Sequence, residues 1–254
     1  MLCGTIMATQ FGLLARLDIL QDVVSWGLAV INPAVVHNIG KYLALKKVHY
    51  LTAIEHLEGA YLEFGVFNGS SFCHSIRCCR SLAYLNPRLL DDEFVGFDSF
   101  GGFGNLADDE KHPFYTDANF ATSLSRVERR ARRAARGKLR FRLVPGFFGD
   151  SLACGAAAMG LTKARVIFID SDTFSSASEA LTFCEPLVQE GTYIVLDDYF
   201  SYRGSRNKGV AHAFNLFVER CGIDCRQVVT YGMGGVVWVV SALSRSSSSD
   251  PATK

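Results

Sequence analysis

Four aspartates stand just past the ends of two apolar runs. Asp170 and Asp172 follow residues 165–169, and Asp197 and Asp198 follow residues 192–196. Both runs have strand length and are rich in Val, Ile, Phe or Tyr, which suits parallel strands buried on both faces. Between them, residues 175–189 have helical length, and Gly191 follows as a stop. A strand–helix–strand crossover is right-handed, so both strand ends open on one edge of the sheet. The four carboxylates then converge in the crevice where open α/β sheets bind ligands. Such a cluster is costly unless a cation or a shared proton relieves it. The spacing therefore predicts a divalent-metal site. The plainer alternative, an aspartate that merely caps the next helix, accounts for one such residue but not for four on neighbouring strand ends.

Three earlier segments end on the same edge. Residues 59–66 read as the first strand, and Phe67-Asn68-Gly69-Ser70-Ser71 as the turn into a helix that runs to about residue 85. Gly65 and Gly69 permit a tight turn and close backbone approach, and the new helix presents unpaired N–H groups to an anionic ligand. Neither G-x-G-x-x-G nor G-x-x-x-x-G-K-[ST] is present, which counts against a nicotinamide or P-loop enzyme. Residues 93–97 form the second strand and end in Asp98-Ser99-Phe100. An acid there, one unit after the glycine turn, commonly grips ribose hydroxyls, and otherwise caps a turn. Residues 140–144 form the third strand, followed by a turn that contains Phe147 and Asp150.

These residues need a scaffold, and the 254-residue chain is long enough for one large α/β domain. With 49% hydrophobic and 20% charged residues it is globular, and a net charge of +1 argues against nucleic-acid binding by bulk electrostatics. The arginines of residues 123–136 (126, 129, 130, 132, 133 and 136) read as a solvated helix face. Eight cysteines without a C-x-x-C pair read as reduced thiols of a cytoplasmic protein rather than as a disulfide or zinc framework. Residues 23–40 carry no Asp, Glu, Lys or Arg, but Asn32, Pro33, His37 and Asn38 argue against a membrane span. No secretory signal is legible at the start. Residues 1–58 are expected to be a helical cover, with a lid or homo-oligomer contact as its role. Residues 59–243 are expected to form the α/β domain and 244–254 a disordered tail. Residues 101–121 form a long polar insertion suited to a substrate lid, with His112 either an acid–base group or simply solvated. Residues 227–231 and 236–241 read as a closing hairpin.

Five strands alternating with helices and then a hairpin describe a doubly wound, Rossmann-like, seven-stranded and mostly parallel sheet with an antiparallel C-terminal hairpin. With the glycine turn after strand one and the acid after strand two, the order describes the core expected of a class I methyltransferase that binds S-adenosylmethionine. The segments LEFGVFNGSS (62–71), VGFDSFGGF (95–103), VPGFFGDSL (144–152), FIDSDTFSS (168–176) and GTYIVLDDYF (191–200) resemble the macrocin O-methyltransferase family. Those enzymes are metal-dependent and methylate sugar or aminocoumarin hydroxyls in antibiotic biosynthesis. The resemblance spans about residues 58–241.

It implies Asp170, Asp197 and Asp198 as ligands of Mg²⁺ (or Mn²⁺) and Asp172 as the general base on a small polyhydroxylated, sugar-bearing acceptor. It also implies Glu63, Gly65, Ser70 and Ser71 along the methionine part of the cofactor. Asp98 would lie at the ribose with Ser99 nearby, and Phe147 and Asp150 at the adenine. Two departures bear on the acceptor: Thr173-Phe174 stands where the family has Leu-Tyr, and FDSFGGFG where it has FDSFEGLP. Catechol-type relatives place a lysine at the position of Thr173, so no lysine base is expected. An aspartate near its ordinary pKa of ~3.9 is a weak base, and a metal that acidifies the hydroxyl resolves the mismatch. Two other classes fit parts of the pattern. FIDSD matches the D-x-D of metal-dependent glycosyltransferases but leaves the glycine turn and Asp98 unused. A non-catalytic binding module would have no need of an intact site.

Overall fold

The computed structural model describes residues 18–104, 106–113 and 120–243. The expected tail at 244–254 and the first part of the expected helical cover lie outside them. All five predicted strand runs form: β1 (Ala60–Phe64), β2 (Phe94–Asp98), β3 (Phe141–Pro145), β4 (Ala164–Ile169) and β5 (Tyr193–Leu196). These five pair with one another in parallel. The hairpin β6 (Ile223–Tyr231) and β7 (Gly235–Leu243) then adds to β5 through antiparallel β7. Among the described residues these seven strands make one sheet in the order β3–β2–β1–β4–β5–β7–β6. The chain winds outward from β1 and then restarts at β4 on its other side. The crevice at the C-terminal ends of β1 and β4 is therefore the switch point, where such sheets bind ligands.

Strand residues alternate between two apolar layers, because successive side chains point to opposite faces. Leu62, Phe64, Phe97, Ile167 and Ile169 pack under α5 (Phe174–Cys184) and α6 (Gly209–Cys221). Tyr61, Phe94, Val166 and Phe168 pack under α2 (Pro33–Ile54), α3 (Ser70–Leu82) and α4 (Leu124–Ala135). Helix α2 buries Lys41, Ala44, Leu45, Val48, His49, Thr52 and Ala53, spaced three or four apart along one face. Asn32 caps it by accepting from Ala34 N at 2.9 Å, and Pro33 opens it. Gly40 lies so close to the β6–β7 turn that a Cβ there would meet Gly232 N at 2.5 Å. This contact sets α2 against the hairpin and over the carboxyl ends of the central strands.

The helix after β4 and the closing hairpin differ in extent from the sequence reading. Helix α5 stops at Cys184 rather than running to residue 189, because Pro186 has no N–H to continue it and residues Glu185–Leu187 turn as a 3₁₀ segment. The hairpin is longer than expected at both strands. Edge strand β6 is interrupted by irregular pairing at Asp224/Cys225 and Gln227/Val229, which scrambles the alternation that marks a strand.

The arginine-rich helix α4 buries Val127, Ala131, Ala134 and Ala135 and turns most of its arginines to solvent, as a solvated face requires. Helix α1 (Asp18–Val30) buries none of its residues and exposes Ile19, Val23 and Trp26. Among the described residues no single helix is long and apolar enough to cross a membrane. Helices α1 and α2 together have the length and composition but meet at 91°.

Candidate active site

Strand register brings the acids together. Ile169 of β4 lies opposite Leu196 of β5, so the next residues, Asp170 and Asp197, leave the sheet side by side. Asp170 N donates to Phe64 O at 2.8 Å and Asp197 N to Ile169 O at 3.0 Å, which fixes both beyond the strand ends. Asp170, Asp197 and Asp198 each offer one carboxylate oxygen, all within 4.8 Å of one another. This is a hard-oxygen donor set of the kind that suits Mg²⁺ or Mn²⁺. Asp172 sits on the turn into α5 in a left-handed conformation, φ 64°. It is not the cap of α5: Thr173 is, accepting from Ser176 N at 3.3 Å. The capping alternative for Asp172 therefore falls away. Burial pushes the carboxyl groups of Asp170 and Asp172 well above the usual range. Asp197 adds most to the shift of Asp170, and Asp198 most to that of Asp172.

Helix α2 contributes two residues that the sequence reading did not place here. Lys41 Nζ lies 2.8 Å from Asp170 Oδ2 and 2.7 Å from Asp197 Oδ2. His37 Nε2 lies 3.0 Å from the same Asp197 oxygen. Met233 N donates to His37 Nδ1 at 3.1 Å, so the ring proton is on Nε2 and His37 donates to Asp197. Tyr231 Oη donates to Asp197 Oδ1 at 2.7 Å. Burial alone would raise the Asp197 carboxyl, but Lys41 and His37 outweigh it and hold the group below the usual carboxylate range. Burial alone would lower Lys41, but Asp170 and Asp197 push it above the ordinary lysine value. A lysine does enter the site, then, though not at the position of Thr173. The signal for it was its phase: Lys41 falls three, four and seven residues before Ala44, Leu45 and Val48, on the apolar stripe of α2.

Two clefts meet at these acids. The smaller is lined by Gly65, Asp98, Ser99, Phe147, Phe148 and Ser171, together with Asp170 and Asp172. The larger includes Asn32, His37, Lys41, Ser70, Phe200 and the four aspartates, and both open to solvent. Gly65, Phe120, Asp170 and Asp172 belong to both. The smaller cleft thus gathers the expected ribose and adenine residues Asp98, Ser99 and Phe147. Both oxygens of Asp98 already accept backbone amides, from Phe67 at 2.6 Å and Phe100 at 2.5 Å, which ties two strand-end turns together. Ser171 Oγ is buried there with no hydrogen-bond partner, so it suits a polar ligand better than an empty crevice.

The remaining expected cofactor residues divide. Ser70 opens α3 at the edge of the larger cleft, and Ser71 also lines it. Glu63 and Asp150 line neither cleft among the described residues. Asp150 lies on the helical turn Phe148–Ser151, past the two phenylalanines that do. Glu63 is fully buried and accepts from Ser71 Oγ at 2.7 Å and from Tyr61 Oη.

Burial pushes Glu63 up to about 7 from an ordinary 4.5. Between those values the folded chain holds this proton and the unfolded chain does not, so stability falls as pH rises through the window. Glu63→Gln is therefore expected to stabilise the fold by up to ~3 kcal/mol at pH 8 and by little at pH 4, read from urea midpoints at the two pH values.

The polar insertion is pinned at both ends by a bridge between Gly101 and Ala121 and by Thr122 N donating to Phe100 O at 3.0 Å. Its Glu110 is buried and accepts from Ser175 N at 2.6 Å and Ser175 Oγ at 2.8 Å, at the start of α5. Tyr202 Oη donates to Glu110 O at 2.8 Å, and the His112 ring packs edge-on against Tyr202 with centroids 5.4 Å apart. The described part of the insertion thus packs onto the start of α5 and Tyr202, next to the acids.

A family model described as macrocin-O-methyltransferase (TylF) matches residues 37–227. Mycinamicin III 3''-O-methyltransferase of Micromonospora griseorubida is 26% identical over 194 residues, covering 72% of this chain and 69% of that protein. The 8-demethyl-8-(2,3-dimethoxy-alpha-L-rhamnosyl)-tetracenomycin-C 4'-O-methyltransferase of Streptomyces olivaceus is 26% identical over 171 residues, covering 66% and 64%. Among solved structures, the O-methyltransferase NovP superposes with a TM-score of 0.65 at 21% identity, over 80% of this chain and 81% of that one. The calicheamicin methyltransferase CalS11 does so with a TM-score of 0.60 at 17% identity, over 80% and 79%. At these identities the two structures show the shared Rossmann-like fold.

Proposed function

Since the chain belongs to the macrocin-O-methyltransferase (TylF) family and is an S-adenosylmethionine-dependent O-methyltransferase, we propose that its acceptor is a sugar hydroxyl of a glycosylated natural product. We further infer that Asp170, Asp197 and Asp198 hold Mg²⁺ or Mn²⁺ and that Asp172 takes the hydroxyl proton. The observation that carries this reading is the meeting of the two clefts at Gly65, Asp170 and Asp172. A methyl donor in the smaller cleft and a hydroxyl in the larger one would face each other beside two carboxylates. The relatives' names point the same way, since one is a 3''-O-methyltransferase and the other acts on a rhamnosyl compound.

S-adenosylmethionine supplies an electrophilic methyl group, and in-line placement of the attacking oxygen provides much of the rate. A divalent cation at the three aspartates would lower the pKa of the acceptor hydroxyl. The chain's own residues do the rest. Gly65 brings the end of β1 against Asp170, where a Cβ would lie 1.8 Å from Asp170 O, so the cofactor cleft and the acids share one wall. Asp98 holds the turns on either side of that cleft through the amides of Phe67 and Phe100. Asp172, reaching both clefts, accepts the proton. The large, open second cleft suits an acceptor bigger than a single sugar. A cytoplasmic location is proposed with it, supported by the use of S-adenosylmethionine and by the absence of any disulfide among the described cysteines.

The test is transfer of a labelled methyl group from S-adenosylmethionine to a panel of deoxysugar glycosides and their free aglycones, with Mg²⁺ present. Label on the glycosides and not on the aglycones is expected. Label on aglycone phenols alone would sink the sugar assignment while leaving the methyltransferase class intact.

A further inference from the structure

The carboxylate cluster already holds a cation, and it belongs to the chain. Lys41 Nζ touches Asp170 Oδ2 and Asp197 Oδ2 at 2.8 and 2.7 Å, and its side chain is only 9% exposed. Asp197 is close to saturated. Its Oδ2 accepts from both Lys41 and His37, and its Oδ1 accepts from Tyr231. A carboxylate oxygen has two lone pairs, so Oδ2 has none left for a metal. A divalent ion bound by oxygens at ~2.1 Å would also sit within a few ångströms of the ammonium group, where like charges repel strongly.

Lys41 is flanked by the contacts that hold α2 on the site. It lies on α2 one turn from His37, which is held by Met233 N, and beside Gly40, which packs on Gly232. Its Nζ lies over the Phe168 ring, 5.7 Å from the centroid.

We propose that Lys41 is a resident counter-ion of the Asp170–Asp197–Asp198 cluster that a divalent cation must displace, so that metal entry loosens the first turns of α2 from the site. This rests on the metal reading above and adds a role for α2, which also lines the larger cleft through Asn32, Pro33, Ala34, His37 and Asn38. Lys41 thereby sets how tightly the metal is held. It also couples metal occupancy to the wall against which the acceptor is proposed to lie. It is a positioning residue, since it acts through the aspartates.

A merely structural lysine and a competing one differ in sign. Titrating Mg²⁺ calorimetrically into the EDTA-stripped full chain and into Lys41→Met should give at least ~10-fold tighter binding in the variant, with Lys41→Arg close to the native value. Hydrogen exchange on the native chain needs no variant: saturating Mg²⁺ should speed exchange of the amides of residues 35–44. Equal or weaker Mg²⁺ binding by a folded Lys41→Met, or slowed exchange in that stretch, overturns the proposal. If neither protein binds Mg²⁺ or Mn²⁺ at millimolar concentration, the metal reading itself fails and takes this inference with it.

Discussion

Asp172→Asn is expected to fold and bind S-adenosylmethionine like the native chain and to lose between ~10²- and ~10⁴-fold in turnover, the range for removal of a general base. The substitution isolates that role unusually well. Residue 172 has φ 64°, a left-handed conformation that asparagine tolerates as readily as aspartate, so no strain is added. The amide keeps the shape and an acceptor oxygen but cannot take the proton. Thr173 caps α5, so the helix does not depend on residue 172. Single-turnover rates with saturating cofactor and acceptor would read the effect directly. A rate within a factor of three of native would remove Asp172 from the chemistry and leave it as a neighbour that shapes the cluster.

Gly65→Ala should cost the fold more than any other single methyl added near the site. The residue has φ +94°, which side chains rarely adopt, and the new Cβ would lie 1.8 Å from Asp170 O and 2.6 Å from Asp170 C. Both are backbone atoms and cannot rotate away. Relief requires β1 and β4 to part where Asp170 N bonds to Phe64 O, which opens the wall between the two clefts. The expected loss is ~3–5 kcal/mol, as for other severe backbone clashes in a core, and with it cofactor binding. Urea denaturation with an unchanged slope would show it as a lower midpoint. A midpoint equal to the native one would mean that the strand ends are far more compliant than their hydrogen bonds imply.

The central sheet was legible because its strands are buried on both faces. Runs such as residues 165–169 and 192–196 then read as unbroken apolar segments, each closed by a chemically distinct turn. The acids were legible for the same reason: one βαβ unit fixes both strand ends on one edge, and parallel register pairs Asp170 with Asp197. What escaped came from contacts distant in sequence. Lys41 and His37 lie more than 120 positions before the aspartates they touch, on a helix whose apolar stripe conceals a polar pair. Tyr231 reaches Asp197 from a hairpin strand whose irregular pairing hid half its length. The expectation that no lysine serves as the base came from one position, Thr173, and said nothing about α2. The pairing of Glu63 with Ser71 was hidden differently. Both residues belong to the glycine-turn segment, but only the packing of α3 on β1 shows that they bond to each other.

The metal's part in the reaction is decided by methyl transfer to a glycosylated acceptor by protein freed of metal with EDTA and then supplied with Mg²⁺. Negligible transfer in EDTA is expected, with recovery on adding Mg²⁺ or Mn²⁺ and no recovery in Asp197→Ala, whose cofactor binding persists. Full-rate transfer in EDTA would contradict it. The acids and Lys41 would then be a structural cluster, and the acceptor proton would leave without a metal's help.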